Sequence, residues 1–400
     1  MRSLSFLSLL VLALHAVSLP ELIESARAKH PSLEAIKERI AAADDAMKRA
    51  KNFDNPTLGL GINDIRLDEP SNRSLERMQT QSVTLSQKIP WFGKRDAKEA
   101  IEKAAKRVLF ASLKEAEALL VARIKQSAYR LWETERLIEV TQQTMALTQQ
   151  NIELFEAYTA SGDSGDTHMG IMSAELMKSN LKTALKRLIA QKERILALLG
   201  YLSFRDLNEV EVKLPDRDTV PSEKLLSMAK GSPVIKREEA KELLESRRLE
   251  LSRLASDIDP TITLGYFHRS AYEDYLSLGI GFSLPIYGSE KSELQERRAL
   301  LLAQKSMVAD SKKRVAAKVE ELLATAEMNR EIVDIIEKES IPHISHMFDL
   351  IRSDIAAGGD LYRFVDLVER KLRLDAEAIS ARAKHAMALA EIEAILGEQL

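Results

Sequence analysis

The stretch that decides the fold is Ser82–Asp96, which reads SVTLSQKIPWFGKRD. Its first half alternates small polar residues with apolar ones, a period-two pattern that is typical of a β-strand with one apolar face. The pattern stops at Pro90-Trp91-Phe92-Gly93, and a long helical pattern follows at once. Aromatic residues concentrate at membrane–water interfaces. The stretch therefore predicts a strand that leaves a membrane and continues as a helix.

The composition favours long helices over a compact mixed fold. Charged residues make up 30% of the 400 residues and aromatic residues only 5%, and this mix with helical periodicity is typical of coiled coils. The formal net charge of −3 gives no indication of a nucleic-acid partner. Cysteine is absent from the sequence, which excludes disulfides, thiolate metal sites and a cysteine-linked lipid anchor.

Residues 1–18 have the pattern of a secretory signal peptide. Arg2 precedes an apolar stretch, and the small residues Ala16 and Ser18 predict cleavage after Ser18. The apolar stretch is too short to span ~30 Å of hydrocarbon, and no later segment has ~18 consecutive apolar residues. The sequence therefore predicts an exported protein in which only strands are available for membrane insertion.

Two alternating segments form a first predicted hairpin, at about residues 56–65 and 80–90. Leu58, Leu60, Val83 and Leu85 fall on one face and are predicted to face lipid, with small or polar residues opposite. Each segment is near the ~9–11 residues that a tilted strand needs to cross a bilayer. A soluble hairpin with one face on a core is the alternative, and one hairpin does not decide between them.

The same arrangement occurs a second time, which favours the membrane interpretation. Asp259-Pro260 matches Asn55-Pro56, and Pro285-Ile286-Tyr287-Gly288 matches Pro90-Trp91-Phe92-Gly93. Duplication of this kind indicates an internal repeat. The second hairpin is predicted at about residues 260–268 and 274–285, with these lipid-facing residues: Ile262, Leu264, Leu276, Leu278, Ile280 and Phe282.

A long helix follows each hairpin, over residues 93–160 and 289–356. At 1.5 Å per residue each would be roughly 100 Å long. Pro342 lies inside the second helix and predicts a restart near Ser340. The predicted domains are therefore a signal peptide at 1–18, a first repeat at 19–200, a linker at 201–230 and a second repeat at 231–400.

Open sheet edges require more than one copy of the chain. Four strands do not close a barrel, and unpaired backbone groups in lipid are costly. About three copies, with roughly twelve strands, is the smallest number that gives a useful lumen. The predicted fold class is mostly α with a small β-barrel part. Three copies of four strands each would form a homotrimeric 12-stranded barrel, which continues into an α-helical coiled-coil tunnel.

Across both repeats the chain resembles the TolC-like outer membrane efflux protein family. The passage from Gln87 to Arg95 and its weaker copy at Leu284–Gly288 carry the resemblance, and the Pro-Trp-Phe-Gly-Lys-Arg part resembles the cation-efflux branch. The resemblance implies a trimer in outer-membrane lipid, a periplasmic tunnel, a periplasmic adaptor and an inner-membrane efflux pump of the RND type. It implies a gated passive exit duct for metal cations or drugs. Many members of the branch carry a lipidated N-terminal cysteine, which this chain lacks.

The resemblance also places a gate at the periplasmic tip. Asp366 and Glu369 have the spacing of two acids that form the closed constriction in the family, and rings of them would attract cations. A solvated helix face is the alternative. Asp360 is a third gate candidate, with a helix N-cap as the alternative. Four glycines at the tip are candidates for adaptor docking or act only as helix caps: Gly162, Gly165, Gly358 and Gly359.

The remaining candidates concern the membrane interface and metals. Trp91, Phe92 and Tyr287 are predicted interface aromatics, with packing beneath the barrel as the alternative. The pair His343 and His346 indicates a helix surface rather than a metal site, and no catalytic, cofactor or metal residue is predicted. A periplasmic coiled-coil adaptor or scaffold without a barrel is the alternative function. An adaptor would need a compact lipoyl-like or β-barrel domain, and no segment of the sequence indicates one.

Overall fold

The structure of the protein is a computed structural model. It describes residues 17–72, 77–91, 93–159, 165–215, 222–254, 257–355 and 361–398. Most of the predicted signal peptide and five predicted site residues lie outside the described residues: Phe92, Gly162, Gly358, Gly359 and Asp360.

Helices account for most of the described residues. In chain order they are α1 Leu19–Lys29, α2 Pro31–Lys51, α3 Lys94–Thr159, α4 Gly165–Ser203, α5 Ser222–Ala229, α6 Pro233–Leu254, α7 Ser289–Ile335, α8 Ile341–Ile355 and α9 Leu361–Leu396. The helices α2 and α6 each begin at a proline, whose fixed φ and missing N–H suit the first helical position. None of the described helices is long and apolar enough to cross a membrane.

Four strands form one antiparallel sheet. The described strands are β1 Val17–Ser18, β2 Thr57–Asn63, β3 Thr80–Lys88, β4 Val210–Glu211, β5 Pro260–Arg269 and β6 Tyr275–Phe282. In the sheet the order is β2-β3-β5-β6, so that the two hairpins join through β3 and β5. Among the described residues, β2 and β6 each have one neighbouring strand and form the edges of the sheet.

The two hairpins have the same register, which shows the internal repeat in the structure. Leu58 pairs with Leu85 in the first hairpin, and Ile262 pairs with Ile280 in the second. Leu58 and Ile262 are each the second residue after the proline that opens their hairpin. Leu85 and Ile280 are each the fifth residue before the proline that closes it. Equivalent residues therefore oppose one another in both copies.

The chain forms two compact units. The strand unit comprises residues 35–113 and 234–313, and the helical unit comprises the described residues within 1–34, 114–233 and 314–400. The strand unit contains the four-stranded sheet. The helical unit has a core of fully buried aliphatic side chains, among them Leu22, Ile124, Leu131, Leu199 and Ile392.

A buried carboxylate joins α6 to α7 in the strand unit. Glu238 accepts hydrogen bonds from Lys241 Nζ at 2.9 Å, Gln304 Nε2 at 2.9 Å and the Arg237 guanidinium at 2.8 Å. Burial alone would raise the pKa of Glu238, but these hydrogen bonds outweigh burial and lower the pKa to about 2. The carboxylate is therefore a satisfied structural group.

The second long helix changes its winding at the place that Pro342 predicts. The helix α7 ends at Ile335, a π-helical turn spans Ile336–Ser340, and α8 begins at Ile341. Proline clashes with the carbonyl one turn before it and donates no hydrogen bond, which explains the wider turn. In the first repeat Thr148 lies inside the continuous helix α3, and its hydroxyl donates to the Thr144 carbonyl at 2.8 Å.

The segment between the repeats has more structure than its sequence predicts. The helix α4 runs past Gly200 to Ser203, and α5 forms within residues 201–230 with Leu225 and Ala229 buried. The short parallel pair β1–β4 matches Val17 with Val210. The strand β1 consists of the last two residues of the predicted signal peptide. Cleavage after Ser18 would therefore remove β1 and its pairing with β4.

Candidate channel surfaces and gate

The sheet has one apolar face, and all ten predicted lipid-facing residues share it. Leu60 pairs with Val83, Val83 with Tyr266, and Tyr266 with Leu276, so the apolar side chains continue from strand to strand. The face is uncovered in the described chain, where Leu60 is 78% exposed and Leu278 71% exposed. Contact with lipid remains a prediction for this face.

The opposite face consists mainly of glycine, serine and threonine. Ser86 and Thr263 share a hydrogen bond of 2.9 Å between their hydroxyls across β3 and β5. A Cβ on Gly59 would lie 2.6 Å from Thr84 Oγ1, so a larger residue there would displace the threonine hydroxyl. The strands can therefore approach closely on this face.

Two aromatic rings also lie on this small-residue face, which the sequence analysis did not predict. Phe267 and Tyr275 stack with ring centroids 4.8 Å apart and planes inclined by 4°. They occupy opposed positions on β5 and β6, near the loop that joins these strands. The alternation of β5 contains the signal, because Phe267 follows Thr263 and Gly265 at a spacing of two.

An ion pair with little exposure to solvent connects the two repeats where β3 passes into α3. Lys94 Nζ donates to Asp259 Oδ1 at 2.9 Å and to the Asp257 carbonyl at 2.5 Å. The Trp91 N–H donates to the same Asp259 oxygen at 3.1 Å, and Lys88 Nζ lies 3.6 Å from the other oxygen. We call this set the junction lock.

The environment of Asp259 favours its charged form. Its side chain is 14% exposed and that of Lys94 is 9% exposed. Burial raises the pKa of Asp259, but the hydrogen bonds from Lys94 and the Trp91 N–H outweigh burial and lower it below its ordinary value. The sequence repeat relates Asp259 only to Asn55 and does not indicate its partner Lys94, which lies far away in the sequence.

The second strand-to-helix junction has the same backbone without the ion pair. Gly93 and Gly288 have φ values of 76° and 75°, a region that glycine adopts without strain. Counted from Pro90 and Pro285, Ser289 is the counterpart of Lys94. No described ion pair or side-chain hydrogen bond of Asn55 or Ser289 repeats the junction lock within the chain.

The described interface aromatics are both at the junctions and both exposed. Trp91 is 54% exposed and precedes α3, and Tyr287 is 93% exposed and precedes α7. Their exposure disfavours the alternative of packing beneath the strands within one chain. Interface placement in a membrane remains a prediction for them.

The two described gate candidates lie exposed on one face of α9, and each has a basic partner. The Arg370 guanidinium donates to Asp366 Oδ2 at 2.8 Å. Arg373 lies 3.6 Å from Glu369 Oε1, also one turn later. Neither arginine was predicted as a partner from the sequence, although the spacing of four residues is the standard signal for helical ion pairs. We call the face formed by Asp366, Glu369, Arg370 and Arg373 the gate surface. It carries both acidic and basic side chains.

An apolar cluster holds the helix behind this gate surface. Phe364, Val365 and Val368 alternate along α9 with the gate candidates and are buried. They join a cluster with residues of α3, α4 and α8, which include Ile152, Phe155, Met177 and Phe348. Phe348 and Phe364 meet edge to face with ring centroids 5.8 Å apart. Packing on one side thus fixes Asp366 and Glu369 on the other.

Among the described residues, no group of three or more His, Asp or Glu side chains is placed to hold a metal ion. His343 lines a surface groove of about 380 Å³ with Met347, Arg370, Arg373 and Glu377. Of the tip glycines, Gly165 begins α4.

The sequence matches no protein-family model and no curated protein, but its fold matches solved structures over nearly the whole chain. CusC, described for its conformational changes on folding and transmembrane channel formation, is 12% identical with a TM-score of 0.80, covering 95% of this chain and 92% of its own. The open outer membrane channel MtrE of Neisseria gonorrhoeae is 18% identical with a TM-score of 0.79, covering 95% and 89%. The outer membrane protein VceC of Vibrio cholerae is 13% identical with a TM-score of 0.79, covering 95% and 96%.

These likenesses establish the fold. The chain has the mostly helical fold of outer membrane channel proteins, with a small sheet and long helices in two repeats. The agreement covers both repeats, because 95% of the chain is included. The predicted fold class is confirmed at this level.

Proposed function

We propose that the protein is the outer-membrane channel subunit of a tripartite efflux system. The observation that carries the proposal is the agreement of its fold, over 95% of the chain, with an outer membrane channel. The uncovered apolar face of the sheet supports it, because a closed ring of strands would turn this face toward lipid. In this proposal three copies form one barrel in the outer membrane, and the helices line a tunnel in the periplasm.

The channel would be passive and depend on partners. A periplasmic adaptor would dock at the tip, where α4 and α9 begin, and an RND-type inner-membrane pump would deliver metal cations or drugs. The apolar cluster behind the tip supports this arrangement, since it gives the docking surface a rigid base. The alternative of a periplasmic adaptor has less support, because the described strands form only the two hairpins and one two-residue pair.

Conductance tests the proposal directly. The protein purified in detergent should insert into planar lipid bilayers and give discrete single-channel steps. Unmodified protein that stays monodisperse and monomeric without detergent, and gives no conductance, would contradict the proposal.

The gate surface makes a separate prediction about ion block. In the proposed trimer Asp366 and Glu369 form acidic rings, each partly neutralised by a ring of arginines. The double variant Asp366→Ala/Glu369→Ala should raise conductance or weaken block by multivalent cations. The opposite double variant, Arg370→Ala/Arg373→Ala, should strengthen that block, because it leaves the carboxylates unpaired.

A matched control lies far from the tip. Glu321→Ala breaks the exposed pair with Lys318 on α7 and should leave conductance and block unchanged. If both double variants also match the unmodified channel in conductance and cation block, Asp366 and Glu369 do not form the gate.

A further inference from the structure

The helical unit contains a cavity of about 240 Å³ that the proposed channel function does not use. It lies among the helices α3, α7 and α9 and the segment that follows β4. Pockets for drug-sized ligands measure about 300–1,000 Å³, so this cavity suits a smaller molecule. Its lining combines apolar and polar side chains, which include Trp132, Leu214, Val333, Arg330, Arg382 and His385.

His385 supplies a buried polar atom to this cavity. The residue is 4% exposed, and its Nδ1 bonds the Ala326 carbonyl at 2.9 Å. The carbonyl only accepts hydrogen bonds, so Nδ1 carries a proton and Nε2 of the neutral ring is an acceptor. Nε2 is buried and has no hydrogen-bond partner among the described residues. Buried polar atoms are normally partnered, so a molecule in the cavity is expected to bond Nε2.

Arg330 supplies a second buried atom beside the histidine. In an α-helix the carbonyl of residue 326 points at the N–H of residue 330, so the His385 ring lies next to Arg330. The Arg330 guanidinium is paired with Glu327, and its Nη1 lies 3.9 Å from Asp334 Oδ2. Its Nε is buried, with no hydrogen-bond partner in the described part of the chain. The Nε–H group only donates, so it calls for an acceptor on the ligand.

The charges at the cavity favour a single carboxyl group as the ligand's polar end. Arg330 is paired with Glu327, and Arg382 is paired with Glu337. Because both guanidinium charges are compensated, the cavity has no excess positive charge for a multivalent anion such as phosphate. A carboxyl group matches the two buried atoms, since one oxygen shares a proton with Nε2 of His385 and the other accepts from the Arg330 Nε–H.

The apolar lining indicates what the carboxyl group is attached to. Val333 is 1% exposed, and Leu214 packs against a buried cluster of Tyr129 and two alanines of α9. The half-buried indole of Trp132 forms another wall. An apolar group gains free energy when it leaves water for such walls. The cavity therefore suits a compact hydrocarbon body.

We propose that this cavity binds a small monocarboxylate with a compact apolar body, held by Nε2 of His385 and the Nε–H of Arg330. Such a ligand would bridge α7 and α9, the helices that carry these two residues. The proposal goes beyond the proposed function and does not depend on it, because all residues that carry it lie in the helical unit of one chain.

The fluorescence of Trp132 measures binding directly. The sequence has two tryptophans, so Trp91→Phe leaves Trp132 as the only one. In the detergent-purified full chain with Trp91→Phe, cyclohexanecarboxylate should change the Trp132 emission saturably. Cyclohexylmethanol, which lacks the carboxyl group, and acetate, which lacks the ring, should each bind at least about tenfold more weakly. Equal binding of cyclohexylmethanol would overturn the assignment to carboxylates.

His385→Asn in the same background separates the ligand contact from the structural contact. The asparagine amide replaces Nδ1 as donor to the Ala326 carbonyl but has no atom in the place of Nε2. The variant should weaken binding of cyclohexanecarboxylate at least about tenfold. Arg330→Lys keeps a charge beside Glu327, removes the Nε–H and should also weaken binding. His346→Asn, at an exposed position of α8, is the matched control and should bind as the parent does.

The outcomes separate this inference from the proposed function. The absence of a saturable effect in the parent would mean that the cavity holds water only and would overturn the inference. Equal affinity in the parent and in either cavity variant would overturn it as well. If His385→Asn does not fold, Arg330→Lys and the two analogues decide. A channel that conducts without binding the carboxylate would leave the proposed function standing, whereas binding without conductance would support this inference alone.

Discussion

The two strand-to-helix junctions share one backbone and differ in one ion pair. The first, after β3, has Lys94 bonded to Asp259 and flanked by Lys88. The second, after β6, has Ser289 at the position of Lys94. When one partner of an ion pair with little solvent exposure is removed, the remaining charge is left uncompensated and destabilises the fold. The joint between the two repeats is therefore held within the chain by an ion pair at the first junction, and no described ion pair holds the second junction.

The largest expected effect comes from removing the lysine of the junction lock while the aspartate remains. Lys94→Met removes the closest cation from the Asp259 carboxylate and leaves it only the Trp91 N–H and Lys88 at 3.6 Å. The substitution should cost about 3 kcal/mol of unfolding free energy, because the carboxylate has little exposure to solvent. The measurement is the denaturant midpoint of the detergent-solubilised protein. Ser289→Met at the second junction is the matched control and should change stability by less than about 0.5 kcal/mol. Equal losses in the two variants would show that the junctions do not differ.

A second prediction concerns the apolar face of the edge strand β6. Leu278→Arg should cost about 2–4 kcal/mol in a membrane and lower the yield of assembled trimer, because it puts a charge at mid-depth in lipid. Ser277→Arg, one residue earlier on the small-residue face, is the control and should assemble with smaller loss. Normal trimer yield for Leu278→Arg would mean that the apolar face of the sheet does not face lipid.

The pH dependence of the lock gives a third prediction. The pKa of Asp259 is below its ordinary value in the folded chain. Its stabilising effect is therefore fully present above the ordinary carboxyl pKa and is lost as the pH falls through the lowered folded value. The stability difference between the unmodified protein and Lys94→Met should thus be large at neutral pH and shrink in acid. A difference that stays constant with pH would remove the ion pair as its cause.

The smallest expected effect comes from adding an ion pair at the second junction. In the proposed trimer, Asn55 of one copy and Ser289 of the next occupy the places that Asp259 and Lys94 have within the chain. Asn55→Asp together with Ser289→Lys should therefore create a charge pair between copies and stabilise the trimer by about 1 kcal/mol per contact, the range of partly exposed pairs. The readout is the temperature at which the trimer separates in detergent. The two single variants complete a double-mutant cycle. A coupling of zero would mean that these positions do not meet.

The sequence was sufficient for the strands and the repeat, since period-two alternation and paired prolines are local patterns. The sequence was insufficient for the junction lock, because Lys94 and Asp259 are 165 residues apart and no local pattern in either segment indicates that they pair. Arg370 and Arg373 were readable from helical spacing but were overlooked beside the acids. The helix α5 was not predicted, because its eight residues are too few to show a clear helical period.

The proposed gate residues could be placed only in part from the sequence, for a related reason. The spacing of Asp366 and Glu369 places them on one face of α9, as the structure shows. Which surface of a helix faces a tunnel depends on neighbouring copies, and a single chain does not define it. The orientation of that face follows only from the assembly.

The central claim is that several copies of this chain close one barrel. Native mass spectrometry of the detergent-purified protein tests it most directly. Three copies per particle are expected, with separation into single chains only on heating. A stable single chain that remains in solution after detergent removal would show that copies of this chain do not close a barrel.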